Sequence, residues 1–112
     1  MIDPPLIQPA QASGWDCHVH LFDTAQPVRD GHYTPADARL DDLTRQAQPH
    51  GIGRFVLVQP SVYGSNNQLV LQALAASGGR HRGVVVLDEP PDDTQLAQWH
   101  QLGVRGVRLN LF

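Results

Sequence analysis

Asp16, His18 and His20 alternate with Cys17, Val19 and Leu21 in the stretch Trp15-Asp16-Cys17-His18-Val19-His20-Leu21-Phe22. In an extended strand successive side chains point to opposite faces. Period two therefore predicts Asp16, His18 and His20 on one face and Cys17, Val19 and Leu21 on the other. Two imidazoles two residues apart lie roughly 6.6 Å apart along the backbone, close enough to converge on one metal ion or one polarised substrate atom. Three polar groups gathered on one strand face are costly to bury without a ligand or mutual pairing. Cys17 falls on the apolar parity and is expected to be a small buried side chain, not a nucleophile.

Further groups capable of chemistry sit where other strands are expected to end. Gln59, Ser61 and Tyr63 follow Arg54-Phe55-Val56-Leu57-Val58, and Asp88 and Glu89 follow Gly83-Val84-Val85-Val86-Leu87. Arg108 and Asn110 share a parity in Gly106-Val107-Arg108-Leu109-Asn110-Leu111-Phe112. A guanidinium is always charged and forks onto carboxylates or phosphates, so Arg108 in an apolar strand points to an anionic substrate or to an ion pair with Asp88 or Asp16. Ser61 has no base beside it in sequence, which gives no support to a serine nucleophile. His32, His50, His81 and His100 fall in loops or on helix surfaces and are expected to be exposed.

The elements that must position these groups alternate. Strands are expected at 15–21, 54–59, 83–87 and 106–112, with helices at 37–48, 65–76 and 94–101. In the helices Leu40, Leu43 and Ala47, then Leu69, Val70 and Leu74, then Leu96, Trp99 and Leu102 supply the apolar faces. Pro49 and Gly51, Gly78 and Gly79, and Gly103 stop them. Residues 1–14, with Pro4, Pro5 and Pro9, read as an irregular lead-in. The polar segment 23–40 is longer than an ordinary connection, and such loops are often functional; Tyr33 lies in it and could fold over a site mouth. Strand–helix alternation with near-continuous apolar strands predicts an α/β fold with a parallel sheet and right-handed crossovers. Ligands in such sheets bind beyond the carboxyl ends of the strands, where the polar groups named above collect.

Bulk composition narrows the function classes. The 112 residues allow one domain at most. With 41% hydrophobic and 17% charged residues the chain reads as globular. Eight basic residues, all Arg, against eleven acidic ones leave a net charge of −3 and no basic stripe, so no nucleic-acid partner is expected. The single Cys17 excludes an internal disulfide framework. No stretch approaches a membrane span and no cationic–apolar leader opens the chain, so no membrane association and a cytoplasmic location are expected. No Gly-rich fingerprint follows a strand, which argues against a dinucleotide site.

These residues resemble a family. The stretch Asp16-Cys17-His18-Val19-His20-Leu21-Phe22 is similar to the opening of the amidohydrolase superfamily. Val56 to Gly64 followed by Asn66-Asn67, and Gly103-Val104-Arg105-Gly106-Val107-Arg108-Leu109-Asn110, resemble the amidohydrolase-2 group, closest to the 2-pyrone-4,6-dicarboxylate lactonase-like proteins. The resemblance runs over 15–112 and implies a (β/α)8 barrel that hydrolyses a lactone, ester or amide of a small carboxylated substrate. It matches His18 and His20 to the first-strand histidine pair, which is catalytic or holds a metal, and Ser61, Arg108 and Tyr33 to substrate-contacting groups. One divalent metal (Zn or Mn) is implied for metal-dependent relatives and none for the lactonase branch. A complete barrel takes about 250 residues, so the resemblance covers an N-terminal half: four parallel strands and three helices, without the later-strand Asp that acts as general base. Inactivity of this chain alone, and association with itself or with a missing C-terminal half, follow as expectations. A non-catalytic α/β module binding a small anion or partner chain, and a metal-dependent decarboxylase of the same superfamily, are the alternatives.

Overall fold

The computed structural model describes residues 12–109. Four strands, β1 (Gly14–Val19), β2 (Ile52–Val58), β3 (Arg82–Val86) and β4 (Val104–Arg108), alternate with three α-helices, α1 (Leu40–Ala47), α2 (Gln68–Ala76) and α3 (Asp93–Leu102). The sheet is parallel throughout, and its spatial order β1-β2-β3-β4 is the chain order. Short 3-10 turns, Gln48–His50 and Ser61–Tyr63, lead into and out of β2.

The apolar periods explain this arrangement. Phe55 and Leu57 of β2 and Val70 and Leu74 of α2 form one buried cluster with Leu21, and Leu40, Leu43 and Ala47 of α1, Leu69 and Ala73 of α2 and Leu102 of α3 pack against it. All three helices thus contribute to one core on one face of the sheet. Gly83 permits the closest approach: a Cβ there would sit 2.7 Å from Leu74 Cδ1. Its absence lets α2 lie directly on β3. Asp92 caps α3 by accepting from Gln95 N at 2.8 Å.

Several expectations are corrected. Cys17 is exposed, not buried, because no described element covers that part of β1. Leu96 is 49% exposed, and no residue of α3 is fully buried, so this helix rests on the core chiefly through Leu102. Asn67, the residue that precedes α2, makes no side-chain cap to the helix. It bonds β3 instead. Asn110 and the expected end of the fourth strand lie outside the described residues, as does most of the lead-in. Within the described part Gly14 already belongs to β1.

His81 is the largest correction. It is 3% exposed, and its Nδ1 accepts the Phe55 backbone N–H at 3.1 Å. Its ring lies 5.3 Å from that of Phe55. An accepting Nδ1 requires the neutral imidazole. Burial pushes the pKa of His81 below the usual 6.5, and the Arg80 and Arg54 guanidinium groups push it further the same way. The unfolded chain therefore binds the proton more readily than the folded one. Stability is full above about pH 6.5 and is lost as the pH falls below it toward the lowered folded-state value. Urea unfolding at about pH 7.5 and about pH 5.5 is expected to show this loss, and His81→Leu to remove that slope while costing about 1–3 kcal/mol for the orphaned Phe55 N–H. An unchanged slope in the variant would assign the pH dependence to other groups.

Candidate active site at the carboxyl ends of the strands

The two histidines stand together. The imidazoles of His18 and His20 are 5.0 Å apart between centroids and nearly perpendicular. His20 lies against Phe22 at 6.0 Å, and Phe22 against Tyr63 at 6.3 Å. Asp16 does not join them as period two requires. A register shift between Asp16 and Val19 inserts an extra residue into β1, so Asp16 pairs with Phe55 and Val19 with Leu57. Both partners belong to the core face, which carries Asp16 to the side away from His20. The Asp16 carboxylate turns back on its own strand, accepting from His18 N at 3.2 Å.

His20 Nδ1 lies 2.8 Å from Val58 O. A carbonyl oxygen only accepts, so Nδ1 carries the proton and Nε2 keeps a lone pair in the neutral ring. Arg108 donates from Nη1 to Gln59 O at 3.0 Å. The histidine from β1 and the arginine from β4 are thus anchored on consecutive peptide groups where β2 ends. Neither ion pair considered for Arg108, with Asp88 or with Asp16, occurs among the described residues.

Two buried amides build the loops around this end. Gln59 is fully buried; its Nε2 donates to Gly64 O at 2.9 Å and Asn66 O at 2.8 Å, which folds the loop 60–66 back over the strand. Its Oε1 has no hydrogen-bond partner among the described residues. Asn67 donates from Nδ2 to Val86 O at 2.8 Å and Ser65 O at 3.1 Å, and its Oδ1 accepts from Val86 N at 2.9 Å. It thereby closes the free end of β3 in the manner of another strand. The Ser65 hydroxyl donates to the Asp88 carboxylate, joining the exits of β2 and β3.

These loops enclose a polar cleft of about 570 Å³ lined by Arg29, Tyr63, Ser65, Asn66, Asp88 and Arg108, among others. Of the residues singled out in the sequence, Tyr63, Asp88 and Arg108 line it, and His18 and His20 do not. Ser61 is half-buried in the turn after β2 and does not line it, and Tyr33 stands 72% exposed. Arg29, Ser65 and Asn67 were not marked for the site. The Asn66-Asn67 pair after a strand is the one signal that could have found the last of these.

For a metal, the donor set is two imidazoles. Among the described residues no group of three His, Cys, Asp or Glu side chains converges. Asp16, the nearest candidate in sequence, is carried away by the bulge. The described residues alone therefore do not complete a divalent-metal site, which needs three or more protein ligands in a tetrahedral centre.

A parallel sheet in chain order, covered on one face by its crossover helices and carrying its polar groups at the strand exits, is a segment of a β/α barrel. The chain belongs to the amidohydrolase-2 family: the family model, described as amidohydrolase, matches residues 15–112. It is 35% identical over 102 residues to a 2-pyrone-4,6-dicarboxylate hydrolase of Comamonas testosteroni, covering 88% of this chain and 33% of that protein. It is 34% identical over 97 residues to a 4-sulfomuconolactone hydrolase of Rhizobium radiobacter, covering 84% and 32%. The structure of a putative 2-pyrone-4,6-dicarboxylic acid hydrolase from Pseudomonas putida superposes with a TM-score of 0.78 at 42% identity, over 87% of this chain and 36% of that one. The chain thus spans about a third of the length of the relatives it matches. No helix among the described residues is long and apolar enough to cross a membrane.

Proposed function

We propose that this chain supplies the N-terminal strands and part of the substrate site of a lactone hydrolase acting on a small carboxylated substrate. The observation that carries the reading is the anchoring of His20 and Arg108 on consecutive peptide groups, Val58 and Gln59, at the carboxyl end of the sheet. The names of the relatives, hydrolases of a pyrone dicarboxylate and of a sulfonated muconolactone, agree with it.

In this reading Arg108 holds a substrate carboxylate through the guanidinium nitrogens not engaged with Gln59 O. Ser61 and Tyr33, on the two loops nearest, contact substrate when it is bound. His18 and His20 face the lactone carbonyl. His20 already donates from Nδ1, so it stabilises the developing oxyanion only when Nε2 is also protonated. Water adds to the carbonyl carbon, the ring C–O bond breaks, and the ring oxygen leaves as it takes up a proton. The carboxylate that activates the water comes from the strands that complete the barrel, which also flank the free edge of β4. A divalent ion at His18 and His20 would require further donors from the same source. The site of action is the cytoplasm.

Fragment complementation tests the reading. The 112-residue chain is mixed with the C-terminal two thirds of the Pseudomonas putida relative, and opening of 2-pyrone-4,6-dicarboxylate is followed by its ultraviolet absorbance. Turnover is expected from the mixture and not from the chain alone. Arg108→Met is expected to raise KM by about 10-fold or more, the equivalent of losing a charge-assisted hydrogen bond, and His20→Ala to lower kcat by about 100-fold or more. Turnover by the chain alone would show that no later-strand base is needed. A complemented enzyme indifferent to both substitutions would remove these residues from the site.

A further inference from the structure

We propose that two copies of this chain join edge to edge into one closed eight-stranded barrel, β4 of each pairing in parallel with β1 of the other. The inference is independent of the hydrolase reading, since it invokes neither a substrate nor an activity.

Each copy offers two open edges. Among the described residues β1 pairs with β2 alone and β4 with β3 alone. All four strands run the same way, so a two-fold rotation about the barrel axis sets β4 of one copy beside β1 of the other in parallel. The same rotation repeats the contact on the far side and leaves no edge over. The concave face is open as well. Val56 and Val84 alternate with the buried Phe55, Leu57 and Val85, and they are only half-buried. A second copy stands opposite them and covers them.

Register points to a second copy and not to an unrelated strand. A barrel of this kind closes with a shear of about eight residues, so each of two equal halves must supply about four. The pairing runs from Val19 to Leu57, from Leu57 to Gly83 and from Gly83 to Val104. Stepping back along β1 from Val19 by that half-shear reaches Trp15. Val104 therefore meets the partner's Trp15, and Arg105 meets the partner's Asp16. Residues 104–108 of β4 then lie along 15–19 of β1, strand against strand. The opposite sense of shear would set β4 against residues beyond the end of β1.

The charges fit this register. Asp16 pairs with Phe55 and shares its helix-covered side. Arg105 lines the outer groove with Trp99 and His100, on the same side of the sheet. Arg105 donates to His100 O and Val104 O, and among the described residues neither it nor Asp16 has an ion-pair partner. Each seam brings the two together. The same register carries the partner's His18 and the partner's His20 alongside Arg108, so each copy adds its histidine pair to the other's mouth.

Sedimentation velocity of the 112-residue chain at low ionic strength is expected to give one species of twice the chain mass. Asp16→Arg sets like charges at both seams, as does Arg105→Asp. Each alone is expected to weaken association by about 10-fold or more, exposed pairs being individually weak. An equimolar mixture of the two variants is expected to restore it. In the mixed pair one seam keeps Arg105 against Asp16, and the other joins the two substituted positions with their charges exchanged. The double variant Asp16→Arg, Arg105→Asp is expected to recover in the same way. Circular dichroism reports the fold of each variant, and recovery on mixing requires both to be folded. A monomer at every concentration assigns both edges to a different chain segment and overturns the proposal. So do species that grow beyond two copies, which an unclosed contact produces. Association indifferent to either substitution, or no tighter in the mixture than in its components, overturns it too.

Discussion

Asn67→Leu is expected to destabilise the chain by about 3–5 kcal/mol, since it orphans both the N–H and the C=O of buried Val86 at about 1–3 kcal/mol each and adds the loss of the Ser65 contact. Leu has the same heavy-atom branching as Asn, so the substitution removes the polar contacts while keeping the shape, with added methyl bulk. Urea denaturation measures the cost, and amide exchange at Val86 should lose its protection in parallel. A small domain has only about 5–15 kcal/mol in total, so the variant stands near the limit of folding. An effect below about 1 kcal/mol would mean that water replaces the amide at the end of β3. Because Asn67 also holds Ser65, which bonds Asp88, the same substitution should open the cleft at its β3 side.

The 112-residue chain is expected to associate in solution. Among the described residues β4 pairs with β3 alone, and its other edge is unpaired. Val107 and Leu109 along it are 49% and 72% exposed. Beside them α3 and β4 bound an apolar groove lined by Leu96, Trp99 and Val107. An unpaired apolar edge with such a groove is a template for another strand and helix. Sedimentation velocity at micromolar concentration should detect dimers or larger species. The double variant Val107→Lys, Leu109→Lys should weaken association by about 100-fold, two charges being placed where an edge is normally defended. A sharp monomer boundary for the unvaried chain would contradict the expectation. Association unaffected by the double variant would move the interface to β1, where Trp15 and Cys17 are exposed.

The fold was legible because its determinants are local. The near-continuous run from Phe55 to Val58, the Val84–Val86 run, and helix stops at Gly51, Gly78 and Gly103 are enough to place strands and helices within a few residues. Strand–helix alternation then leaves a parallel sheet as the economical arrangement. The site was legible in part. The histidine pair and Arg108 could be marked because polar side chains interrupt apolar strands. Asp16 was assigned to the wrong face because period two assumes a regular strand, and a bulge breaks the period without any signature in residue type. His81 was assigned to solvent because it follows Gly78-Gly79-Arg80, which reads as a loop. Only the packed structure shows that its Nδ1 serves an amide of a strand 26 residues earlier. Arg29 was passed over for a related reason. Its place in the cleft depends on crossing Gly64, a juxtaposition between two loops that no spacing rule encodes.

The coincidence of spatial order with chain order bears on how the molecule is made. Each strand pairs with the one before it, across a single helical crossover, so no strand must wait for a distant segment before it can dock. Long loop closures slow folding, and here the connections shorten along the chain, from 20–51 to 59–81 to 87–103. A chain emerging from the ribosome N-terminus first can therefore add one strand–helix unit at a time to an existing edge. During synthesis the newest edge is always the exposed one. Once β4 has docked, its outer edge stays open to mispairing until another strand joins it.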